Sequence, residues 1–74
     1  MNIKELIEVN PKKMSGTPVF TGTRVPVKNL FDYLEGGDSL EVFLDDFPTV
    51  TREQALGVLE LSKEYLLSHY EIAA

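Results

Sequence analysis

The sequence has no cysteine, no tryptophan and one histidine, His69. Without thiols there is neither a disulfide staple nor a thiolate metal site, so the usual supports of small domains are missing. Catalysis or metal binding through imidazole would rest on His69 alone, near the end of a predicted helix, where such a side chain commonly caps carbonyls or is simply solvated. Asp45-Asp46 is the closest carboxylate pair, but adjacent helical residues do not face one another and no further ligands follow at metal spacing. The glycines at 16, 22, 36 and 37 match neither a dinucleotide fingerprint nor a Walker loop. These absences predict a protein that is not an enzyme and needs no metal or cofactor. No apolar run approaches the roughly 20 residues that span a bilayer. Met1 to Val9 carries Lys4, Glu5 and Glu8, unlike the apolar stretch of a signal peptide, and the expected location is the cytoplasm.

Cations are also scarce. Seven Lys and Arg stand against 12 Asp and Glu, a net charge of -5 over 74 residues. The split is uneven: residues 1–30 hold Lys4, Lys12, Lys13, Arg24 and Lys28 against Glu5 and Glu8, whereas residues 31–74 hold only Arg52 and Lys63 against ten carboxylates. Two surfaces with different partners are one reading of this asymmetry, and an ordinary acidic surface with a slightly basic end is the plainer one.

A single domain over 1–74 is expected, divided into an arm at 1–26 and a three-helix core at 27–70. Pro11, Gly16, Pro18, Gly22 and Pro26 exclude a long helix from the first part. Val19-Phe20 and Thr23-Arg24-Val25 flank Thr21-Gly22 as a tight hairpin with Gly22 at positive φ, and Pro18 and Pro26 restrict such strands to edges or to pairing with Ile7 to Val9 or a second chain. After Pro26 the period changes. Val27, Leu30, Phe31 and Leu34 mark one face of a helix that Gly36-Gly37 stops. Ser39 caps a second helix over Leu40 to Asp46, ended by Phe47-Pro48. Thr51, with Gln54 three residues on, opens a third that runs to about His69.

That last helix has an apolar arc of roughly 240°, where one core needs little more than 100°. Val58, Leu61, Tyr65, Leu66 and Tyr70 are therefore expected to meet another chain, a partner or a second copy, unless the arm folds back over them. A short helix, a tight turn and a capped helix also form a helix-turn-helix pattern, which would aim Arg52 at guanine and Gln54 at adenine. Arg24 at the hairpin tip, with Lys28, Lys12 and Lys13 behind it, suits phosphate or minor-groove contact, although an ion pair of Arg24 with Asp32 or Asp46 serves equally well.

The run Ser15-Gly16-Thr17-Pro18-Val19-Phe20-Thr21-Gly22-Thr23-Arg24-Val25-Pro26-Val27, then Leu30, Asp32, Leu34, Gly36 and Gly37, then Phe43-Leu44-Asp45-Asp46-Phe47-Pro48 and Thr51-Arg52-Glu53-Gln54-Ala55, resembles the small bacterial and archaeal proteins grouped as domain of unknown function 433. The likeness runs from about Ile7 to Tyr65. It implies a mainly α, homeodomain-like helix-turn-helix core with a short β-hairpin arm. It also implies the antitoxin half of a type II toxin-antitoxin pair, which masks a PIN-like nuclease toxin and represses its own operon by binding operator DNA. A homodimer is expected separately, from the missing staples and the over-apolar last helix. A helical dimerisation or adaptor module that binds only protein is the alternative.

Overall fold

The computed structural model describes residues 2–69 of the chain. It is mainly helical, with a two-stranded antiparallel sheet. Three of the helices follow the sequence punctuation. α2 spans Val27–Glu35 behind Pro26 and stops at Gly36, with Gly37 at φ +94°. α3 spans Leu40–Asp46, with the Ser39 hydroxyl accepting the Val42 N–H at 3.2 Å. α4 spans Arg52–His69. Its first turn is closed reciprocally: Gln54 N–H donates to Thr51 Oγ1 and Thr51 N–H to Gln54 Oε1, each at 3.1 Å. The two side-chain oxygens satisfy two donors that a helix start would otherwise leave orphaned.

Within the first 26 residues, Val19-Phe20 makes the short antiparallel pairing with the Ile7 segment that the sequence allows, but a helix is added and the second hairpin strand is missing. A short helix, α1 (Ile3–Leu6), is capped by Asn2 and leads into β1 (Ile7–Glu8), which pairs with β2 (Val19–Phe20), Ile7 opposite Phe20 and Glu8 opposite Val19. The Thr21-Gly22 turn is present, with Gly22 at φ +79° and Thr23 N–H donating to the Phe20 carbonyl at 2.9 Å. Its far side is not a strand but a single bridge from Val19 to Pro26. The reason is local: Pro26 has no N–H to donate, and the Thr23 side chain turns inward to the Phe20 carbonyl at 2.8 Å. The segment does not project. Leu6, Val19, Phe20 and Thr23 are buried, because an apolar strand pair this short is stable only when it covers a core.

Two contacts fix the segment onto α4. Gly57, in the middle of that helix, faces Leu6 so closely that a Cβ there would lie 2.7 Å from Leu6 Cδ2. A helical glycine costs about 1 kcal/mol against alanine, and here it admits a fully buried leucine in exchange. Gln54 Nε2 donates to the Thr21 carbonyl at 2.9 Å, joining the turn to the start of α4. The core between the layers is built from Leu6, Phe20, Leu30, Phe43, Val50, Ala55 and Val58. Phe43 is its aromatic hub, with ring centroids 6.0 Å from Phe20, 5.5 Å from Tyr33 and 5.1 Å from Phe47.

Glu8 clamps the sheet to the turn, accepting the Gly22 N–H at 2.7 Å and the Lys13 ammonium at 3.2 Å. The Gly22 hydrogen bond first, and the Lys13 partner second, hold its carboxyl below the ordinary glutamate range. A depressed folded-state pKa stabilises the fold above the unfolded value, and that contribution disappears as pH falls through the folded one. Glu8→Ala should therefore melt below the unsubstituted protein at neutral pH, with the two curves converging as the solution is acidified past the normal glutamate titration. A gap in melting temperature that stays constant with pH would show that the clamp is uncharged packing.

Candidate partner-binding groove

α4 is longer than the core it covers. Ala55 and Val58 are buried and Leu59, Leu61 and Ser62 are half-buried, but from Lys63 to His69 every residue is exposed. Tyr65, Leu66 and Leu67 are 62%, 54% and 55% accessible. The overhang forms one wall of an apolar groove of about 710 Å³, whose opposite walls come from α1 and β1 (Ile3, Ile7) and from α2 (Val27, Phe31). Val27 and Phe31 also border a second hollow, running past Pro18 to Asp32 and Glu35. The local reason is helical spacing. α2 directs Leu30 into the core, whereas Phe31, one residue on, looks out beside it.

Of the five residues expected at a partner surface, Val58, Leu61, Tyr65 and Leu66 line this one groove. Tyr70 lies outside the described residues. Val58 needs a correction: it is 2% accessible, a core residue that forms the groove floor rather than a free contact. The arm that covers part of α4 leaves the last two turns bare, because α1 has too few residues to reach them. Ile3, Ile7, Val27 and Phe31 were not singled out from sequence as partner contacts. The available signal was the aromatic Phe31 beside Leu30 on α2, which periodicity alone assigns to the core.

The six candidate DNA contacts are not gathered in the same way. Arg52 donates to Glu41 of α3 at 2.6 Å, Lys28 to Asp32 at 2.5 Å and Lys13 to Glu8. The hydrogen bonds to Glu41 and Asp32 raise the pKa of Arg52 and Lys28, holding both cations in charged form. Gln54 does not point outward to read an adenine: its amide is engaged at Thr51 and Thr21, so it is a capping and tethering residue. Arg24 and Lys12 are exposed and form no ion pair with any described residue. The expected carboxylate partners of Arg24 are otherwise occupied, Asp32 by Lys28 and Asp46 by the Tyr33 hydroxyl at 2.7 Å. That hydrogen bond pushes the Tyr33 phenol above its usual pKa.

His69 packs on its own helix, with its ring stacked 4.0 Å from that of Tyr65 and Nδ1 2.8 Å from the Tyr65 carbonyl oxygen. No cluster of three metal-ligating side chains is found among the described residues, and no described helix is long and apolar enough to cross a membrane.

Residues 7–62 match the family model described as Protein of unknown function (DUF433). A relative, the uncharacterized protein y4eO of Sinorhizobium fredii, is 35% identical over 51 residues, which is 69% of this chain and 23% of that protein. A crystal structure of a DUF433 member from Anabaena variabilis superposes with a TM-score of 0.70 at 22% identity, over 84% of this chain and 61% of that one. The chain thus spans about a quarter of the first protein and three-fifths of the second, and the second establishes a shared fold.

Proposed function

The chain belongs to the DUF433 family, and from the groove it carries we propose that it is the antitoxin of a type II toxin-antitoxin pair, masking a PIN-like ribonuclease in the cytoplasm by protein-protein contact. One observation carries this reading: an apolar groove is walled by the exposed end of α4, α1, β1 and α2, in a domain too small to bury that helix itself. A groove of that kind excludes water when a partner's side chains fill it, which is how a few anchors supply most of the free energy of an interface. The acidic surface around it suits a basic nuclease. The test uses the reading frame adjacent in the genome. Co-expressed with this protein, its product should purify as a complex and lose ribonuclease activity. A neighbouring product that is no nuclease, or one that stays active with excess protein, leaves the helical adaptor role instead.

Operator binding forms a second part of the proposal, supported by Arg24 and Lys12, the two candidate cations without a carboxylate partner among the described residues. If Arg24 meets a phosphate, Arg24→Ala should weaken binding to upstream DNA and lower the slope of log affinity against log salt by about one unit, with the melting temperature unchanged. Gel shifts at several salt concentrations measure this. An unchanged slope removes Arg24 from any DNA contact.

A further inference from the structure

The groove has a definite electrostatic character. Among the described residues, the only cation lining the groove and its adjoining hollow is Lys28, in the latter, and that ammonium is held by Asp32. Two lining carboxylates remain without an ion pair among the described residues: Glu64, in the hollow beneath the α4 overhang, and Glu35, in the adjoining hollow past Phe31. The surface is thus apolar at the junction formed by Val27 and Phe31, with a carboxylate outside any ion pair among the described residues in each hollow, Glu35 lying within coulombic reach of Lys28.

We propose that this groove receives an amphipathic helix of a different polypeptide, with an apolar face for the centre and a Lys or Arg toward each end. This rests on the protein-binding reading above and specifies the partner's chemistry. A helix is favoured over a strand because the sheet offers an edge only two residues long, too few backbone groups for strand addition, whereas the long walls are helices whose side-chain ridges accept another helix. A second copy of the chain is a poor occupant on charge. α2 carries Lys28 against Asp32 and Glu35, α3 carries Glu41, Asp45 and Asp46 with no cation, and α4 carries Arg52 and Lys63 against Glu53, Glu60 and Glu64. Each of these helices would bring net negative charge to a groove already holding two unpaired carboxylates, and like charges in register repel. The homodimer expected from the sequence therefore needs a surface other than this one.

The test uses the full chain and three synthetic peptides. Two are helices of about four turns sharing a leucine face at i, i+3, i+4 and i+7, one ending in lysines and the other in glutamates; the third has the lysine ends but prolines within the helix. Fluorescence anisotropy should show the lysine-ended helix binding about tenfold tighter than the glutamate-ended one at low salt, a gap that narrows as salt rises. The double variant Glu35→Lys, Glu64→Lys should invert that order while keeping its circular dichroism and melting temperature. The proline peptide should not bind. Equal affinities, an order that survives the charge reversal, or binding of the proline peptide overturns the inference. So does sedimentation showing a dimer that Leu66→Asp dissociates, because the groove would then hold a second copy. Failure here is separable from failure of the antitoxin reading: a nuclease still inhibited, with no peptide preference, removes only the helix, whereas peptide preference without nuclease inhibition removes only the toxin.

Discussion

Phe43→Ala should remove a large share of the stability of this domain. Phe43 is fully buried and touches three other aromatic rings from α2, β2 and the end of α3, so truncation leaves a cavity among those three elements. Such substitutions cost about 3–5 kcal/mol. A domain of this size has in total about 4–11 kcal/mol at the usual 0.05–0.15 kcal/mol per residue. The variant's urea midpoint should drop to roughly half of the original, with the melting temperature falling in step. Tyr33→Phe is the matching control. It removes only an exposed hydroxyl-carboxylate bond to Asp46 and should cost under about 1 kcal/mol. A loss below about 2 kcal/mol for Phe43→Ala, well under the range for buried aromatics, would show that the core collapses around the gap and that the aromatic hub is not what holds the layers together.

The second large effect concerns binding. Leu66→Asp puts a carboxylate into the apolar wall of the groove beside Glu64, so a partner's side chains would have to desolvate it without a counter-charge. Affinity for the proposed nuclease partner should fall by about 100-fold, in the range of hot-spot truncations. Because Leu66 is more than half exposed, the free protein should lose less than about 0.5 kcal/mol of stability. Leu67→Asp supplies the contrast: its exposure is nearly the same, but Leu67 does not line the groove. Titration calorimetry on both variants separates a specific wall from a generally greasy helix end. Equal losses in the two would locate the contact on the whole tip of α4, and no loss in either would place the nuclease elsewhere.

Much of the helical scaffold is written in local chemistry. Pro26, Gly36-Gly37, Ser39, Pro48 and the Thr51/Gln54 pair act within a few residues of themselves, and the bounds of α2, α3 and α4 follow from them. What could not be read depends on distance along the chain. Pairing of Val19-Phe20 with the Ile7 segment was among the options that Pro18 and Pro26 left open, whereas α1 is too short to leave a periodic signal and is held where Leu6 finds Gly57. Gln54 is a side chain with two futures, a base reader or a cap, and only the proximity of the Thr21 carbonyl decides between them. Arg52 similarly looks free until α3 brings Glu41 within 2.6 Å. The excess apolar perimeter of α4 was legible, and its division was not: part of it is covered by the chain's own first residues, and the rest forms the groove.

The groove floor and the hydrophobic interior are the same layer of side chains, since Val58 and Val27 belong to both. Filling the groove therefore thickens the interior of a molecule that has little of it. Anything that binds the folded form alone raises its stability by mass action, by about 2.7 kcal/mol when present at a hundred times its dissociation constant. For a domain with only a few kcal/mol in hand, that increment changes the fraction open to proteases about a hundredfold. If the groove takes the proposed partner, how long each molecule survives would be coupled to how much of that partner surrounds it.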